Sequence, residues 1–370
     1  NVETIRRMKN LDKVAPYTSS VAQGDWGTMT TLLAETAISA KDSISFADKT
    51  LLANYVYKKN GTYKLIYTTV AMDGSIENYA EDDGILPTLF LSPDQENYVS
   101  VIPYHPDKEL EISIPVFHRD DVEMPKGNRP FTGHFIGTTE AYSIFHDVDI
   151  FDNKPDKILA IEFINGKLKK KHNSKVPLPA NNRIAICNKA IHLLANDGSI
   201  LLHREVDEKG NVTRSREIEA KDIPVLQILS ASFDRDSYLL AQENDKIIIE
   251  KIAASGASEI IELVDFADPL FNTWQPVNIA DDTFVTRFNT EFGNGWLTTQ
   301  NDKLLEIFYS KGVQGYRNLL TNEVLSIPGD KLIISSISKT TERAYAVVLY
   351  PLADDTAENA ELIVLNRRLP

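Results

Sequence analysis

Cysteine is almost absent from the sequence. Among 370 residues only Cys187 carries a thiol, so no disulfide can form within one chain and no cysteine-rich zinc site can be built. Cys187 lies in the apolar segment RIAICNKAI, residues 183–191, a context typical of a buried strand. We therefore expect Cys187 to be a packing thiol rather than a nucleophile. Separately, we expect neither a metal site nor a cofactor.

Positive charge is in deficit. Lys and Arg number 39 against 53 Asp and Glu, which gives a formal net charge of −14. Nucleic-acid binding requires Lys and Arg to displace counterions from phosphates, so we expect no nucleic-acid partner. The basic run Lys167–Lys171 is expected on the solvated face of an edge strand, where lysines discourage aggregation between strands.

Long apolar runs are missing as well. The longest spans roughly residues 344–350 and is closed by Pro351, far short of the ~18 residues that a membrane helix needs, so no transmembrane segment is expected. The chain begins at Asn1 rather than Met, and Asn60 and Asn211 open Asn-x-Thr sequons. These features favour an exported protein, periplasmic, on the cell surface or secreted, with a cytoplasmic location as the open alternative.

Sustained helical periodicity is scarce, and strand patterns dominate. Runs rich in Val, Ile, Tyr, Phe and Thr alternate with Gly, Asn, Asp and Pro turns. The clearest hairpin is residues 51–70, whose two runs are joined through Asn60-Gly61, a pair that readily adopts the positive φ of a tight turn. Because strand follows strand without helices between them, the sequence excludes a parallel α/β sheet.

An internal repeat organises these strands. The segment TLFLSPDQENYVSV, residues 88–101, aligns without a gap on ILSASFDRDSYLLA, residues 228–241, at an offset of 140 residues. Three units within that offset give a period of about 47 residues. A polar turn followed by an apolar residue recurs in steps of 46, 44, 49, 47, 46 and 61 residues. The seven residues at these positions are Leu52, Tyr98, Tyr142, Ile191, Tyr238, Phe284 and Tyr345.

Units of this size, with about four short strands each, match the blades of a β-propeller. Seven units fill the chain, at residues 43–80, 85–122, 131–176, 183–219, 224–264, 275–320 and 331–370. The last unit has three strands, and the N-terminal strand 28–35 has no unit of its own, so we expect it to complete the final blade and close the ring. We thus predict an all-β, seven-bladed β-propeller closed by an N-terminal strand, as one domain at 28–370 after an extension at 1–27. A different division of residues 293–326 would give six or eight blades.

The segments SPDQENYVSV and SFDRDSYLLA resemble the Ser-x-Asp turns of seven-bladed propeller repeat proteins, broadly the WD40-like and TolB-like superfamily. The resemblance implies the architecture of most of the chain. The Gly-His and Trp-Asp pair of WD40 repeats, the double glycine of kelch repeats and the sialidase Asp box are all missing from the sequence. No functional residue is therefore carried over from a family.

Ligands of propellers usually bind where loops converge at the mouth of the central channel. The two longest inter-blade loops in the sequence are residues 117–131 and 265–276, and we expect both on one face. They combine cations, carboxylates and aromatic rings that could hold a peptide, a sugar or a carboxylated ligand. The candidate ligand-binding residues are His118, Arg119, Asp120, Arg129, Phe271 and Trp274. The alternative is that these side chains pair with one another and seal the blade interface.

Catalytic patterns are weaker. Adjacent carboxylates occur at 82–83, 120–121 and 281–282, but glycosidase chemistry needs two carboxyl groups about 5–10 Å apart across one bond, and the sequence selects no such pair. The strand histidines, His134 with His146 and His192 with His203, are expected to form local hydrogen bonds.

No Gly-x-Ser-x-Gly elbow or phosphate loop is present, and because seven units would use the whole chain, no hydrolase domain is expected after them. We predict a binding or scaffolding module for a protein, small-molecule or carbohydrate ligand. A carbohydrate-active propeller enzyme, a glycoside hydrolase or lyase, is the open alternative.

Overall fold

The computed structural model of the chain describes a large part of the sequence in short ranges. These are residues 12–35, 38–46, 48–57, 60, 63–82, 88–91, 98–101, 134–147, 156–164, 167–178, 182–197, 199–219, 225–243, 246–265, 271–273, 276–280, 283–290, 293–300, 303–310, 315–327, 332–341, 343–351 and 360–369. Every regular element in these ranges is a β-strand. No helix long and apolar enough to span a membrane occurs in them.

The strands form six sheets of four or more strands, numbered here as blades in chain order. Blade 1 contains β4 (Ile38–Phe46), β5 (Lys49–Tyr57), β6 (Tyr63–Ala71) and β7 (Ile76–Asp82), with β1 (Asp12–Lys13) beside β7. Blade 2 contains β10 (His134–Thr138), β11 (Tyr142–Asp147), β12 (Asp156–Ile164) and β13 (Lys167–Leu178). Blade 3 contains β14 (Asn182–Cys187), β15 (Ala190–Asp197), β16 (Ile200–Val206) and β17 (Val212–Glu219). Blade 4 contains β18 (Val225–Ser230), β19 (Ser237–Glu243), β20 (Lys246–Ile252) and β21 (Ser258–Asp265).

The last two sheets carry additional strands. Blade 5 contains β22 (Phe271–Thr273), β23 (Val277–Ala280), β24 (Thr283–Thr290), β25 (Asn294–Gln300), β26 (Lys303–Ser310), β27 (Tyr316–Asn318) and β28 (Val324–Leu325). Blade 6 contains β29 (Leu332–Thr341), β30 (Ala344–Pro351) and β31 (Glu361–Arg368), followed by β3 (Gly27–Leu33) and β2 (Thr18–Gly24) from the N-terminal part of the chain. A separate pair is formed by β8 (Thr88–Leu91) and β9 (Tyr98–Val101).

Hydrogen-bonded neighbours in blades 1, 3, 4, 5 and 6 pair antiparallel, and consecutive sheets within one compact unit contact one another through their first strands. The chain divides into two compact units, one of Asn1–Thr132, Phe163–Lys169 and Lys331–Pro370 and the other of Gly133–Glu162 and Lys170–Asp330. In the second unit β10, β14, β18 and β22 touch in succession, and in the first unit β29 touches β4, which touches β8. This succession of meandering sheets is the arrangement of a β-propeller.

The repeat found in the sequence is confirmed strand by strand. All seven residues that define it lie at or near the start of the second strand of a sheet, namely β5, β9, β11, β15, β19, β24 and β30. The pattern works where the second strand follows a tight polar turn and is buried on both faces, as β15 and β19 are, because such a strand selects for apolar residues near its start. The predicted hairpin at residues 51–70 is likewise confirmed, with Tyr57 opposite Tyr63.

The predicted count of seven blades is wrong: the described ranges of the chain form six. The unit expected at residues 85–122 contains, in its described residues, only the β8–β9 pair. The repeat marks the first hairpin of a unit and carries no information on whether two further strands follow, so the β8–β9 hairpin was taken as evidence for a full blade. The region 293–326 is not the source of the error, because β25 to β28 all belong to blade 5.

The expectation that the N-terminal strand completes the final blade is confirmed. β3 pairs with β31 from Gly27 opposite Arg367 to Leu33 opposite Glu361, and β2 adds a fifth strand outside it. Residues placed in an extension by the sequence therefore join sheets, β1 in blade 1 and β2 in blade 6. Hydroxyl groups link blades 6 and 1, where Ser338 donates to Ser45 at 2.6 Å and Ser336 contacts Ser43.

The hydrophobic core lies between consecutive blades. On β15, Leu193 packs in a cluster with blade 2, whereas its neighbour Leu194 packs in a cluster with blade 4. On β19, Leu239 faces blade 3 and Leu240 faces blade 5 in the same way. Since alternate residues of a strand point to opposite faces, blades 3 and 4 are each buried on both sides and depend on both of their neighbours.

We predict that Gly27→Ala weakens the closing strand. Gly27 has φ +136°, and a Cβ there would overlap the carbonyl oxygen of Asn366 in β31. Gly256 is the matched control, because its φ is +90° but no atom lies within 4 Å of an added Cβ. Both variants carry the backbone strain of an L-residue at positive φ, about 1–2 kcal/mol, and Gly27→Ala should lose about 1–3 kcal/mol more through the overlap. Urea unfolding of both variants measures the difference, and equal losses would contradict the closure.

Candidate functional site

Two buried histidines meet inside blade 3. His192 on β15 and His203 on β16 are 3% and 1% exposed. His203 pairs in register with Leu194, two residues from His192, so the two rings lie diagonally on one face of the sheet. His192 Nδ1 is 3.0 Å from His203 Nε2. The local hydrogen bonding expected for these strand histidines is thus confirmed.

Arg216 on β17 determines which nitrogen of each imidazole carries the proton. Its Nε donates to Nδ1 of His203 at 3.0 Å. Because a guanidinium Nε–H can only donate, His203 Nδ1 is an acceptor and its proton lies on Nε2, which donates to Nδ1 of His192. The proton of His192 is then on Nε2, and this imidazole also hydrogen-bonds the backbone of Cys187. The three side chains form one directed chain of hydrogen bonds.

Burial keeps both imidazoles neutral. Loss of hydration lowers the pKa of His192 to about 4 and that of His203 to about 3. For His203, the neighbouring His192 and then Arg216 lower the pKa further, because each would repel a second positive charge. At neutral pH neither ring is charged, and a base this weak, with its lone pair already bonded, is poorly matched to proton abstraction. The arrangement therefore stabilises the fold rather than moving protons.

Arg216 also ties blade 3 to blade 4. Its Nη2 donates to the carbonyl oxygen of Ser232 at 2.9 Å, and its Nη1 donates to the carbonyl oxygen of Ala254 at 3.1 Å. Ser232 lies in the β18–β19 turn and Ala254 in the β20–β21 turn. One planar guanidinium thus joins β16 and β17 of blade 3 to two turns of blade 4, a geometry that suits arginine and not lysine.

An aromatic ring completes this contact. Phe233 stacks on His203 with ring centroids 4.1 Å apart and an interplanar angle of 15°. The guanidinium carbons of Arg214 and Arg216 lie 4.6 Å and 5.2 Å from the Phe233 centroid, within cation–π range. Arg214 makes a bidentate pair with Asp234 at 2.7 and 2.9 Å. We call His192, His203, Arg216 and Phe233, with the Arg214–Asp234 pair, the blade 3–4 clasp.

Two serines, Ser232 of the repeat motif and Ser237, hold the turn that presents Phe233. Ser232 Oγ accepts hydrogen bonds from the backbone N–H groups of Asp234 and Arg235 at 3.2 and 3.1 Å. Ser237 Oγ accepts from the N–H of Ser232 at 2.9 Å and donates to its carbonyl oxygen at 3.0 Å. The motif that revealed the repeat is therefore a self-bonded turn, whereas nothing in the local sequence pointed to Arg216.

The residues predicted to bind ligand are mostly outside the described part of the chain. His118, Arg119, Asp120, Arg129 and Trp274 all lie there, so their prediction is untested. Phe271 is the first residue of β22, with its backbone opposite Thr290 of β24. Within the described ranges, no group of three or more His, Cys, Asp and Glu residues could hold a metal ion.

Solved structures resemble this chain in fold but share little of its sequence. No protein-family model matches the sequence, and no curated protein matches it. Among solved structures, prolyl oligopeptidase B of Galerina marginata has a TM-score of 0.49 at 9% identity, over 95% of this chain and 57% of that one. The propeller domain of the trilobed protease of Pyrococcus furiosus has 0.48 at 8% identity, over 90% of this chain and 95% of that one. The Cps50 (Swd1) propeller domain of Myceliophteria thermophila has 0.44 at 9% identity, over 94% of this chain and 99% of that one.

The chain spans under two thirds of the length of the prolyl oligopeptidase, 57%. At such identities a likeness concerns the fold alone. The β-propeller fold itself rests on the strand pairing of the six blades.

We predict that Arg216 and Arg214 differ sharply in their effect on stability, although both lie on β17. Arg216→Ala removes the donor of the buried His203 ring and of two backbone carbonyl groups of blade 4, and should cost about 3 kcal/mol. Arg214→Ala removes an ion pair whose side chains are 44% and 75% exposed and should cost less than about 1 kcal/mol. Arg216→Lys should not restore stability, because one ammonium cannot span the same acceptors. Chemical unfolding measures all three, and equal losses for the two alanine variants would refute the clasp.

We predict that the protein loses stability between pH 6.5 and 4. The ordinary pKa of histidine is 6.5, whereas the native values are about 4 for His192 and about 3 for His203. In this window the unfolded chain binds protons that the native state does not, so the free energy of unfolding falls as pH falls. A pKa difference of one unit corresponds to about 1.4 kcal/mol. His203→Gln, which keeps an acceptor for Arg216, should make the unfolding free energy less dependent on pH, and an unchanged pH profile would contradict the assignment.

Proposed function

We propose that the chain is a binding or scaffolding module that uses loops at one end of a β-propeller to hold a protein, small-molecule or carbohydrate ligand. The observation that carries the proposal is the way the blades are fixed to one another. Arg216 of blade 3 hydrogen-bonds two turns of blade 4, and apolar clusters fill the spaces between blades. Such a rigid frame supports loops that vary without loss of fold, which is how many propellers bind ligands.

The polar groups of the frame support the same proposal. The hydrogen bond from Arg216 fixes which nitrogen of each clasp histidine carries the proton. Cys187 is buried, and loss of hydration raises the pKa of its thiol to about 12. These groups serve packing and hydrogen bonding. The loop residues His118, Arg119, Asp120 and Arg129 remain part of the proposal as ligand contacts. Phe271 and Trp274 are proposed as aromatic surfaces for the same purpose.

The alternative of a carbohydrate-active enzyme requires two carboxyl groups at one site. In the part of the chain that the structure describes, the buried carboxylic acids are Glu250 and Glu306. They lie on β20 of blade 4 and β26 of blade 5, and Glu250 accepts a hydrogen bond from Ser258. No observation on these residues favours the enzyme over the binding module.

The test uses tryptophan fluorescence, since the chain has three tryptophans. Trp296 is fully buried in blade 5 and Trp26 is half-buried beside the closing strand. A panel of neutral and uronic-acid oligosaccharides is titrated into the full chain, with the products analysed by chromatography. We expect at least one sugar to bind unchanged, with the signal and the affinity lost in Trp274→Phe and kept in the matched control Trp26→Phe. Binding that Trp274→Phe leaves intact would contradict the proposed loop site, and cleaved sugars would favour the enzyme.

A further inference from the structure

The N-terminal strand β2 has one open edge. It pairs with β3 along its whole length, from Thr18 opposite Leu33 to Gly24 opposite Gly27, and is the outermost strand of blade 6. All seven of its residues are exposed, on both faces of the strand. In the part of the chain that the structure describes, no strand pairs with its other edge. Its outward backbone groups are therefore available to another strand.

The outer strands of the other blades carry the features that prevent such pairing. β13 has five lysines and a proline, β17 has two arginines and two glutamates, and β21 has three acidic residues. The outer strands of blades 1 and 5, β1 and β28, are each two residues long. Charge, proline and shortness are the usual means by which proteins protect sheet edges. The sequence of β2, TSSVAQG, contains none of them.

We propose that β2 is a self-association site, through which a second copy of the chain pairs antiparallel and extends blade 6 into a continuous sheet across two molecules. Antiparallel pairing of a strand with its own copy has two-fold symmetry, the commonest symmetry of homodimers. Centred on Val21, the pairing sets Val21 against its own copy and Thr18 against Gly24. Both backbone edges are then satisfied along the whole strand.

Charge selects a second copy as the occupant. Each chain has a net charge of −14, so two copies repel wherever acidic surfaces meet. β2 offers a strip of seven residues without charge. The nearest carboxylate, Asp25, would lie opposite Tyr17 of the other copy rather than opposite another Asp25, so no like charges are paired. At the open edge two copies can therefore approach without like charges meeting.

The size of the contact sets the expected strength. A stable dimer usually buries about 800 Å² on each partner, and a strand of seven residues falls short of that by itself. The dimer should therefore be reversible and depend on protein concentration.

The experiment is sedimentation velocity of the full chain, in a series from micromolar to submillimolar concentration. The weight-average mass of the unmodified chain should rise from 41.5 kDa toward twice that value. Val21→Lys places a lysine directly opposite the same lysine of the second copy. Ala22→Lys places a lysine on the other face of the strand, diagonally next to its copy. Both variants should stay monomeric throughout the series. Ala22→Lys keeps the test valid if Val21→Lys fails to fold, because Val21 also packs near Gly74.

The matched control is Val212→Lys. Val212 is a valine at the start of the outer strand β17 and is 51% exposed, against 44% for Val21. This variant should dimerise like the unmodified chain. The proposal is overturned if the unmodified chain stays at 41.5 kDa at every concentration, if the β2 lysines leave the dimer intact, or if Val212→Lys abolishes it. It is also overturned if β2 amides resist hydrogen exchange equally at all concentrations, which would show that a segment of the same chain covers the edge.

Discussion

The structure depends on one constraint: blades 3 and 4 are apolar on both faces, so each can be buried only between two other blades. Leu193 and Leu194 are adjacent in sequence and fully or almost fully buried, yet they belong to different apolar clusters. A sheet of this kind cannot be stable alone, because one of its two faces would be left in water. The repeat in the sequence, the closure by the N-terminal strand and the clasp between blades 3 and 4 are all consequences of this requirement.

The polar contacts between blades 3 and 4 fix the angle at which their apolar faces pack. Apolar packing is not directional, so it does not fix the angle between two sheets by itself. The guanidinium of Arg216 does, because it needs the carbonyl groups of Ser232 and Ala254 and the ring nitrogen of His203 at defined positions. The same site illustrates why buried histidines and an arginine are weak evidence for catalysis. All three are used to satisfy one another's hydrogen bonds in a region where unpaired polar groups are costly.

Local patterns of the sequence were sufficient for the fold class and the strand positions, and insufficient for the blade count. The spacing of turn-then-strand segments located the second strand of every sheet, from Leu52 to Tyr345. It did so because the polar residues that form a turn and the apolar residues that begin the next strand are neighbours in the sequence. Whether a hairpin continues into a full blade depends on pairing farther along the chain, and the unit at 85–122 was miscounted for that reason. The hydrogen bonds of Arg216 could not be predicted from local sequence, because its partners lie 13 to 38 residues away along the chain. The loops chosen as ligand contacts, including Trp274, were selected on composition alone, which identifies chemistry but not geometry.

The most direct test of mutual dependence between blades is native-state hydrogen exchange at increasing urea concentration, read out for the strands of blades 2 to 5. If each blade is stable only between its neighbours, the slowest amides of β15, β19 and β25 open together, with one free energy and one urea dependence. If β15 opens at a lower free energy while β11 and β19 keep their protection, blade 3 is dispensable to its neighbours, and the account is contradicted.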